Sequence, residues 1–498
     1  MEKDNISAED WNQQGDAHLQ SGDISGAIGA YARAVARAPE RAGYLHDLGR
    51  ALLQDKQYAK ATDILLRAQS AAPDAWDILC DLGTAQLQSG QSAAALESFT
   101  ASIDLKPDAV MAHFNLGNAL HGVGQNDGAE AAFRRVVELA PGFVPALISL
   151  GALLSDAGQP EEALHLFGRA KVLDPKNVAL LQNYALMQLR YGNLRKGFAA
   201  FESRLFPSPI GFVPRPFIYP HWRGRSLKGR SILIWTEQGL GDEILTAGMF
   251  QDVIGPAGSC TIECSARIEP LLRRSFPRAN VVRREDPPVA ATGPWFDFQA
   301  GAFSLGQFLR RDFSAFPKHH GYLRADAALT AKLRERYLKV APGTKLVGIS
   351  WESLARHGLR KRLPLDLWHP ILSTPGVTFI SLQYGASMPG DQPPQSRLYF
   401  DHEIDALNDF DASAAQVGAM DLVITVSNTT AHLAGAQNIP VWTMIPNGPG
   451  AFWYWFRDRD DSPWYPSMRL FRQGQAGDWQ PVIESVASAL MEQIELPT

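Results

Sequence analysis

Residues 43–73 read GYLHDLGRALLQDKQYAKATDILLRAQSAAP, and residues 111–141, two periods of 34 further on, read MAHFNLGNALHGVGQNDGAEAAFRRVVELAP. The small, apolar and proline positions of the two stretches coincide. Four columns run at this spacing from the start of the chain to residue 209. The first is Gly15, Gly49, Gly83, Gly117, Gly151 and Ala185; the second is Ala27, Ala61, Ala95, Ala129, Ala163 and Gly197. The third is Tyr31, Leu65, Phe99, Phe133, Phe167 and Phe201; the fourth is Pro39, Pro73, Pro107, Pro141, Pro175 and Pro209. Small residues let two antiparallel helices approach closely, and the large residue of the third column fills the gap between them. The proline ends the second helix because it lacks an N–H and clashes with the preceding turn. A single helix pair leaves its apolar face bare, so neighbouring pairs stack into a superhelix.

This spacing resembles the tetratricopeptide repeat, with Trp11 and Gly15 at its opening positions. Five repeats span about 8–175; the sixth, 178–209, is degenerate and is expected to cap the array, giving a first domain of 1–209. Two residues before the small column stands a polar ladder of Gln13, Asp47, Asp81, Asn115, Ser149 and Asn183. On the first helix of each pair, such a ladder lines the concave groove. It can hydrogen-bond an extended peptide, or it can be solvated surface between packing positions.

After Pro209 the pattern changes. A proline- and aromatic-rich linker, FVPRPFIYP at 212–220, leads into short apolar runs separated by helix-length segments: SILIWT (231–236), SCTIEC (259–264), NVVRR (280–284), KLVGISW (345–351), VTFISLQ (377–383), DLVITV (421–426) and VWTMI (441–445). Near-continuous apolar strands alternating with helices argue for parallel sheets covered on both faces. The gap at 325–344 divides them into two Rossmann-like domains, 210–340 and 341–498. The last helix, roughly 478–494, is expected to cross back to the first. The fold class expected is thus an α superhelix followed by an α/β region of two doubly wound units.

Composition narrows the function classes. With 45% hydrophobic and 20% charged residues the chain has no disorder-prone bias, and its net charge of −5 offers no electrostatic footprint for nucleic acid. The opening MEKDNISAED lacks an apolar signal core, and no run of eighteen apolar residues occurs. The three cysteines, Cys80, Cys260 and Cys264, read as packing thiols, which suits a reducing cytoplasm. A cytoplasmic protein with no membrane span and no nucleic-acid partner is expected.

Three loops could carry chemistry. GLGDEIL at 239–245 follows the first strand, where Gly239 and Gly241 permit a tight turn and close backbone approach. Asp242 falls at the start of the next helix, as well placed to cap it as to accept a proton. SNTTAHLAGA at 427–436 follows DLVITV; Asn428, Thr429 and Thr430 open a helix whose N–H groups and hydroxyls can hold a diphosphate without a metal. His432, one turn in, either contacts a ligand or packs. In GISWESLARHGLRKRLPL, 348–365, Trp351 ends a strand at the predicted cleft. Arg356, His357, Arg360, Lys361 and Arg362 follow, able to neutralise a departing diphosphate or to stand in solvent. The aromatic tail holds Trp453, Trp455, Trp464 and Tyr465, able to stack on a sugar or base but expected to pack against the last helix, and an Asp-x-Asp at 458–460 read as surface, so no metal site is expected.

The ordered set of repeats, HWRGRSLKGRSILIWTEQGLGDEIL, GISW…KR, SLQYG (which holds Gln383), DLVITVSNTTAHLAGA and SPWYPSMRLFRQ…DW resembles the bacterial tetratricopeptide-repeat glycosyltransferases. Their catalytic part is similar to the lipopolysaccharide heptosyltransferase family. The resemblance covers nearly the whole chain and implies the two-domain GT-B fold. It implies transfer of a sugar from a nucleotide donor to a hydroxyl of a protein docked on the repeats, flagellin being one such acceptor in this architecture. No cofactor is implied, the nucleotide sugar being a substrate. Asp242 matches the family's proposed general base, Lys361 or Arg362 its phosphate-binding cation, Asn428–Thr430 its diphosphate helix start, and His432 its histidine. Gly239, Gly241, Trp351 and Gln383 complete the donor site, and Gln13, Asp47, Asp81, Asn115 and Asn183 the acceptor-protein groove. The family usually has Asp where this chain has Ser427. The domain order also resembles eukaryotic O-linked N-acetylglucosamine transferase. Two alternatives are an inactive scaffold that binds a nucleotide sugar and a transferase acting on a lipid-linked glycan.

Overall fold

The computed structural model describes residues 6–206, 215, 217–285, 295–340, 342, 344–353, 363–385, 398–448 and 450–495. These form two compact units, Met1–Leu180 and Leu181–Thr498.

The first unit is five antiparallel helix pairs: α1 Ala8–Gln20 with α2 Ile24–Arg37, α3 Ala42–Gln54 with α4 Tyr58–Ala71, and α5 Trp76–Gln88 with α6 Ser92–Leu105. Next come α7 Val110–Gly122 with α8 Asn126–Leu139, and α9 Val144–Ala157 with α10 Pro160–Leu173. The column logic holds atom by atom. A Cβ added at Gly83, Gly117 or Gly151 would stand 2.6–2.7 Å from the ring of Phe99, Phe133 or Phe167, and one at Gly49 2.6 Å from Leu65. The glycine therefore sets the distance between the helices of a pair. The second-column alanines, Ala27, Ala61, Ala95, Ala129 and Ala163, are all fully buried.

The sixth pair, α11 Val178–Arg190 and α12 Leu194–Phe201, does not behave as a cap. The boundary expected at 209 instead falls at Leu180, in the first turn of α11. The reason is packing: Ala185, Leu189, Leu194, Phe198 and Phe201 join the core of the α/β unit. A Cβ at Gly306 would strike the Phe198 ring, so this aromatic is seated directly on α/β backbone.

The second unit contains two wholly parallel sheets. The first has strands β1 Ser231–Trp235, β2 Ser259–Cys264, β3 Asn280–Arg283 and β4 Phe298–Gly301 in the order β3-β2-β1-β4. The second has β5 Lys345–Ser350, β6 Val377–Ser381, β7 Leu398–Tyr399, β8 Leu422–Val426, β9 Val441–Ile445 and β10 Met468–Arg472 in the order β10-β9-β8-β5-β6-β7. The covering helices are α13 Leu240–Ala247, α14 Phe250–Ile254, α15 Glu269–Ser275, α16 Gly306–Leu309, α17 Ala327–Val340, α18 His369–Leu372, α19 Phe410–Gly418, α20 Thr429–Ala436 and α21 Gln480–Glu495.

Two expectations fail here. The helix α17, assigned by sequence to the first lobe, is tied to the second: Arg334 pairs with Asp421, Arg336 with Asp401, and Tyr337 donates to Asp401. The last helix α21 stays on the second sheet, where Val482, Ile483, Val486 and Leu490 pack among Val347, Trp368 and Ile371. The aromatic segment 452–456 crosses back instead. Trp453 meets Phe198 edge-on and Phe303 at a tilt, with ring centroids 5.6 and 6.1 Å away. All three cysteines are buried and unpaired, and burial pushes the thiols of Cys80 and Cys260 up to about 12. Among the described residues, no helix is long and apolar enough to cross a membrane.

A chain beginning at residue 176 is expected to melt in one cooperative transition by calorimetry. One beginning at 210 loses Phe198, Phe201 and Arg204, the buried partner of the buried Glu237 at 2.6 Å; stranding such a charge costs about 3–5 kcal/mol. It is expected to show no cooperative melt.

Candidate functional site

Both sheets reverse their strand order once, between β1 and β4 in the first and between β5 and β8 in the second. Ligands of open parallel sheets collect at the carboxyl ends of strands at such reversals. Helix α13, which follows β1, packs on α20, which follows β8. Their approach depends on Gly241: a Cβ there would lie 3.0 Å from Cδ2 of His432.

Around this contact lies a cleft of about 320 Å³, lined from the first lobe by Gly239, Leu240, Gly241, Asp242 and Arg267 and from the second by Ser427, Asn428, Thr429 and His432. Tyr384, Phe410, Phe452 and Tyr454 complete it. Six sequence candidates from two loops nearly two hundred positions apart thus share one wall-to-wall space.

Asp242 stands at the third position of α13, where its Oδ2 accepts the amide of Gly239 at 3.2 Å. It is therefore a helix cap, and it also lines the cleft. The preceding Gln238 has φ +65°, a left-handed conformation costing a non-glycine residue about 1–2 kcal/mol. The adjacent Glu243 turns inward, and burial raises its pKa against the opposing pull of the Ser265 amide and Arg284.

The start of α20 divides its residues by role. Asn428 is 5% exposed. Its Oδ1 accepts the amides of Thr430 and Ala431 at 3.0 and 3.3 Å and the Thr425 hydroxyl at 3.1 Å. Its Nδ2 donates to Ser350 Oγ at 2.8 Å and to the Glu352 carbonyl at 3.1 Å. Its amide group is thus committed to holding the turn. Thr430 is buried and does not line the cleft. Thr429 does line it, and as the first helical residue it has no intrahelical partner for its amide. Ser427, where the resemblance leads one to expect Asp, is buried and accepts the Trp455 indole N–H at 2.8 Å.

His432 packs and lines the cleft at once. Its ring stacks on Trp455 at 4.9 Å, meets Tyr454 edge-on at 5.0 Å, and its Nδ1 bonds the Tyr465 hydroxyl at 2.8 Å. Burial holds the phenols of Tyr454 and Tyr465 well above their usual pKa, and the charge of Asp242 adds to both. Trp453, Trp455, Trp464 and Tyr465 are all buried, so the tail aromatics pack, though on α12 and α20 rather than on the last helix.

Trp351 and Gln383 line a second cavity of about 400 Å³ that shares Tyr384, Ala406 and Leu407 with the first. Gln383 Oε1 accepts from Ser350 Oγ and from the amides of Trp351 and Glu352 at 2.9–3.0 Å, so it shapes the end of β5. Arg356, His357, Arg360, Lys361 and Arg362 lie outside the described residues. Sequence reading missed Arg267, an exposed cation in the cleft, and Tyr384, Phe410 and Tyr454; of these, Tyr384 (in SLQYG) and Tyr454 sat in stretches that stood out.

In the array, the ladder is knitted along its own length. Asn12 donates to Asp47 at 3.1 Å, His46 bonds Asp81 at 2.8 Å, and Asn115 donates to Thr84 at 3.2 Å. Asp47, Asp81 and Asn115 each bind the preceding repeat, while Gln13 is exposed on α1. Asn183 belongs to the α/β unit.

The chain is thus a tetratricopeptide-repeat protein that carries a parallel α/β unit: a tetratricopeptide repeat model matches residues 12–75 and 80–142. It is similar to Protein FlbA of Caulobacter vibrioides, 35% identical over 340 residues, which cover 64% of this chain and 56% of that protein. The chain therefore spans little more than half the length of this curated relative. The matched share exceeds the repeat unit, so the similarity extends into the α/β unit. Solved structures similar to it include MamA (24% identical, 34% of this chain and 92% of that one, TM-score 0.31). Another is YrrB, described as a TPR protein with an unusual peptide-binding site (22% identical, 37% and 95%, TM-score 0.32).

Asn428→Ala removes the α20 cap and takes one hydrogen bond each from the Ser350 and Thr425 hydroxyls. Urea unfolding is expected to show a loss of about 2–3 kcal/mol.

Proposed function

We propose that the α/β unit is a GT-B glycosyltransferase that moves a sugar from a nucleotide donor to a hydroxyl of a protein held by the repeats, with flagellin as the first acceptor to try. The observation that carries the reading is the cleft in which the Asp242 turn, at the end of β1, and Thr429, at the start of α20, line one space at the order reversals of two parallel sheets. Helix starts bind phosphate through unpaired amides and the helix dipole. In this reading Thr429 supplies an amide and a hydroxyl to the donor diphosphate, and Arg267 with Lys361 or Arg362 supplies positive charge. The adjoining cavity, with the faces of Trp351, Tyr384 and Phe400, takes the nucleoside. Asp242 accepts the proton of the acceptor hydroxyl as its oxygen attacks the anomeric carbon. The bond from that carbon to the phosphate oxygen breaks, the nucleoside diphosphate leaves, and the configuration inverts. The similarity to FlbA, reaching past the repeats, supports a shared pairing of array and α/β unit.

The Asp242–Gly239 cap favours a second reading, since a scaffold without turnover would keep it equally. Asp242→Asn separates the two. An amide oxygen still caps, so melting temperature and nucleotide affinity are expected to hold, while turnover falls about 10²–10⁴-fold, the usual contribution of a general base. A stable variant with normal transfer leaves Asp242 as a cap alone. Calorimetry with uridine and guanosine diphosphates is expected to show Thr429→Val binding about tenfold more weakly, a charged hydrogen bond contributing about 1.5–3 kcal/mol. Thr430→Val, turned away from the cleft, is expected to bind as the wild type does.

A further inference from the structure

Glu237 is 1% exposed and sits between β1 and the Gly239–Asp242 turn. Its carboxylate receives a two-pronged grip from Arg204: Nε to Oε2 at 2.7 Å and a terminal nitrogen to Oε1 at 2.6 Å. The amide of Phe303 adds a third bond at 3.2 Å. Arg204 lies in the 3₁₀ turn Glu202–Leu205 that ends the sixth helix pair, and is 5% exposed. Its remaining donors reach the Phe201 carbonyl at 3.1 Å, Glu202 at 2.8 Å and Ser304 Oγ at 3.0 Å. The guanidinium lies over the ring of Phe201, 5.0 Å from its centroid. A fork so fully engaged has one orientation, and through it Glu237 has one position.

The next residue, Gln238, is the one held at φ +65°, and its far side is pinned by the Gly239–Asp242 cap. A strained residue persists where its surroundings over-determine it. Here the two determinants are a carboxylate on either side, one gripped by Arg204 and one gripping Gly239.

We propose that Arg204 is a positioning residue of the transfer site: through Glu237 it fixes the strained turn that presents Asp242 to the cleft. The helix pair α11–α12 is then part of the reaction centre's frame, although its sequence is that of a repeat. This rests on the reading of Asp242 as proton acceptor, and the experiment separates the two. Arg204→Lys keeps the charge and loses the fork. In the folded variant, amides of 238–243 are expected to exchange about tenfold faster or more, while those of β8 and α20 keep their wild-type protection. Turnover is expected to fall about 10²-fold, as misplacement of a reacting group by an ångström does, with affinity for uridine or guanosine diphosphate unchanged. Loss of melting temperature with unchanged exchange in the turn and unchanged kcat would make the pair a stability element and overturn the proposal. If Arg204→Lys does not fold, Ser304→Ala, which removes one bond from the same guanidinium, is expected to change exchange and kcat in the same direction by less; no change in either overturns it. Should the wild type transfer no sugar, the exchange comparison still decides the role of Arg204, and only the glycosyl-transfer reading falls.

Discussion

The close approach of α13 and α20 is the contact on which the second unit's geometry turns. Two parallel sheets, each with its own order reversal, can be arranged in many ways; these two meet where Gly241 leaves room for the His432 ring. His432 in turn is held in a box of Trp455, Tyr454 and Tyr465. Trp455 is fixed by Ser427, the residue that opens the α20 turn. Gly435 is needed beside Tyr465 for the same reason that Gly241 is needed beside His432, since a side chain there would collide with the ring. Each part of the cleft is thereby referenced to the others through rigid aromatic contacts rather than through long flexible side chains.

The sixth helix pair shows how a repeat can be reassigned without losing its signature. Its column residues Ala185, Gly197 and Phe201 keep the 34-residue register, but the faces they expose are covered by α16, the 3₁₀ turn Ala302–Leu305 and the aromatic segment 452–456. The buried Arg204–Glu237 pair belongs to this junction. Such a pair contributes little net stability against an apolar replacement, yet breaking it is costly. That asymmetry makes it better suited to fixing a geometry than to strengthening a fold.

The five helix pairs of the array were legible, because a period of 34 with four small, large or proline columns reports pair packing directly. Seven of the strands were legible as apolar runs. The missed ones explain themselves: β4 is FQAG, three of whose four residues are too small or polar to stand out. β10, MRLFR, alternates arginines with apolar residues and reads as loop, and β7 has two residues. The loops flanking the cleft were found from glycine and threonine chemistry at strand ends. What sequence could not supply was the division of labour within them, because Asn428 and Thr429 differ in partners and not in type. Nor could it show that Ser427 serves Trp455, or that Arg267, with no pattern around it, reaches the same space. The array boundary was misplaced because periodicity records ancestry of a motif, whereas burial decides which core it joins.

The placement of the three cysteines gives the chain a property of another kind. Cys80 lies inside the helical array, and Cys260 and Cys264 lie in one strand of the first sheet. Deep burial and a raised pKa keep a thiol in its unreactive form. Folded, the protein is expected to be silent toward alkylating reagents, each thiol becoming visible only when its own surroundings open. Modification at Cys80 therefore clocks the breathing of the array, and modification at Cys260 that of the sheet, so the natural sequence carries a separate chemical timer in each unit.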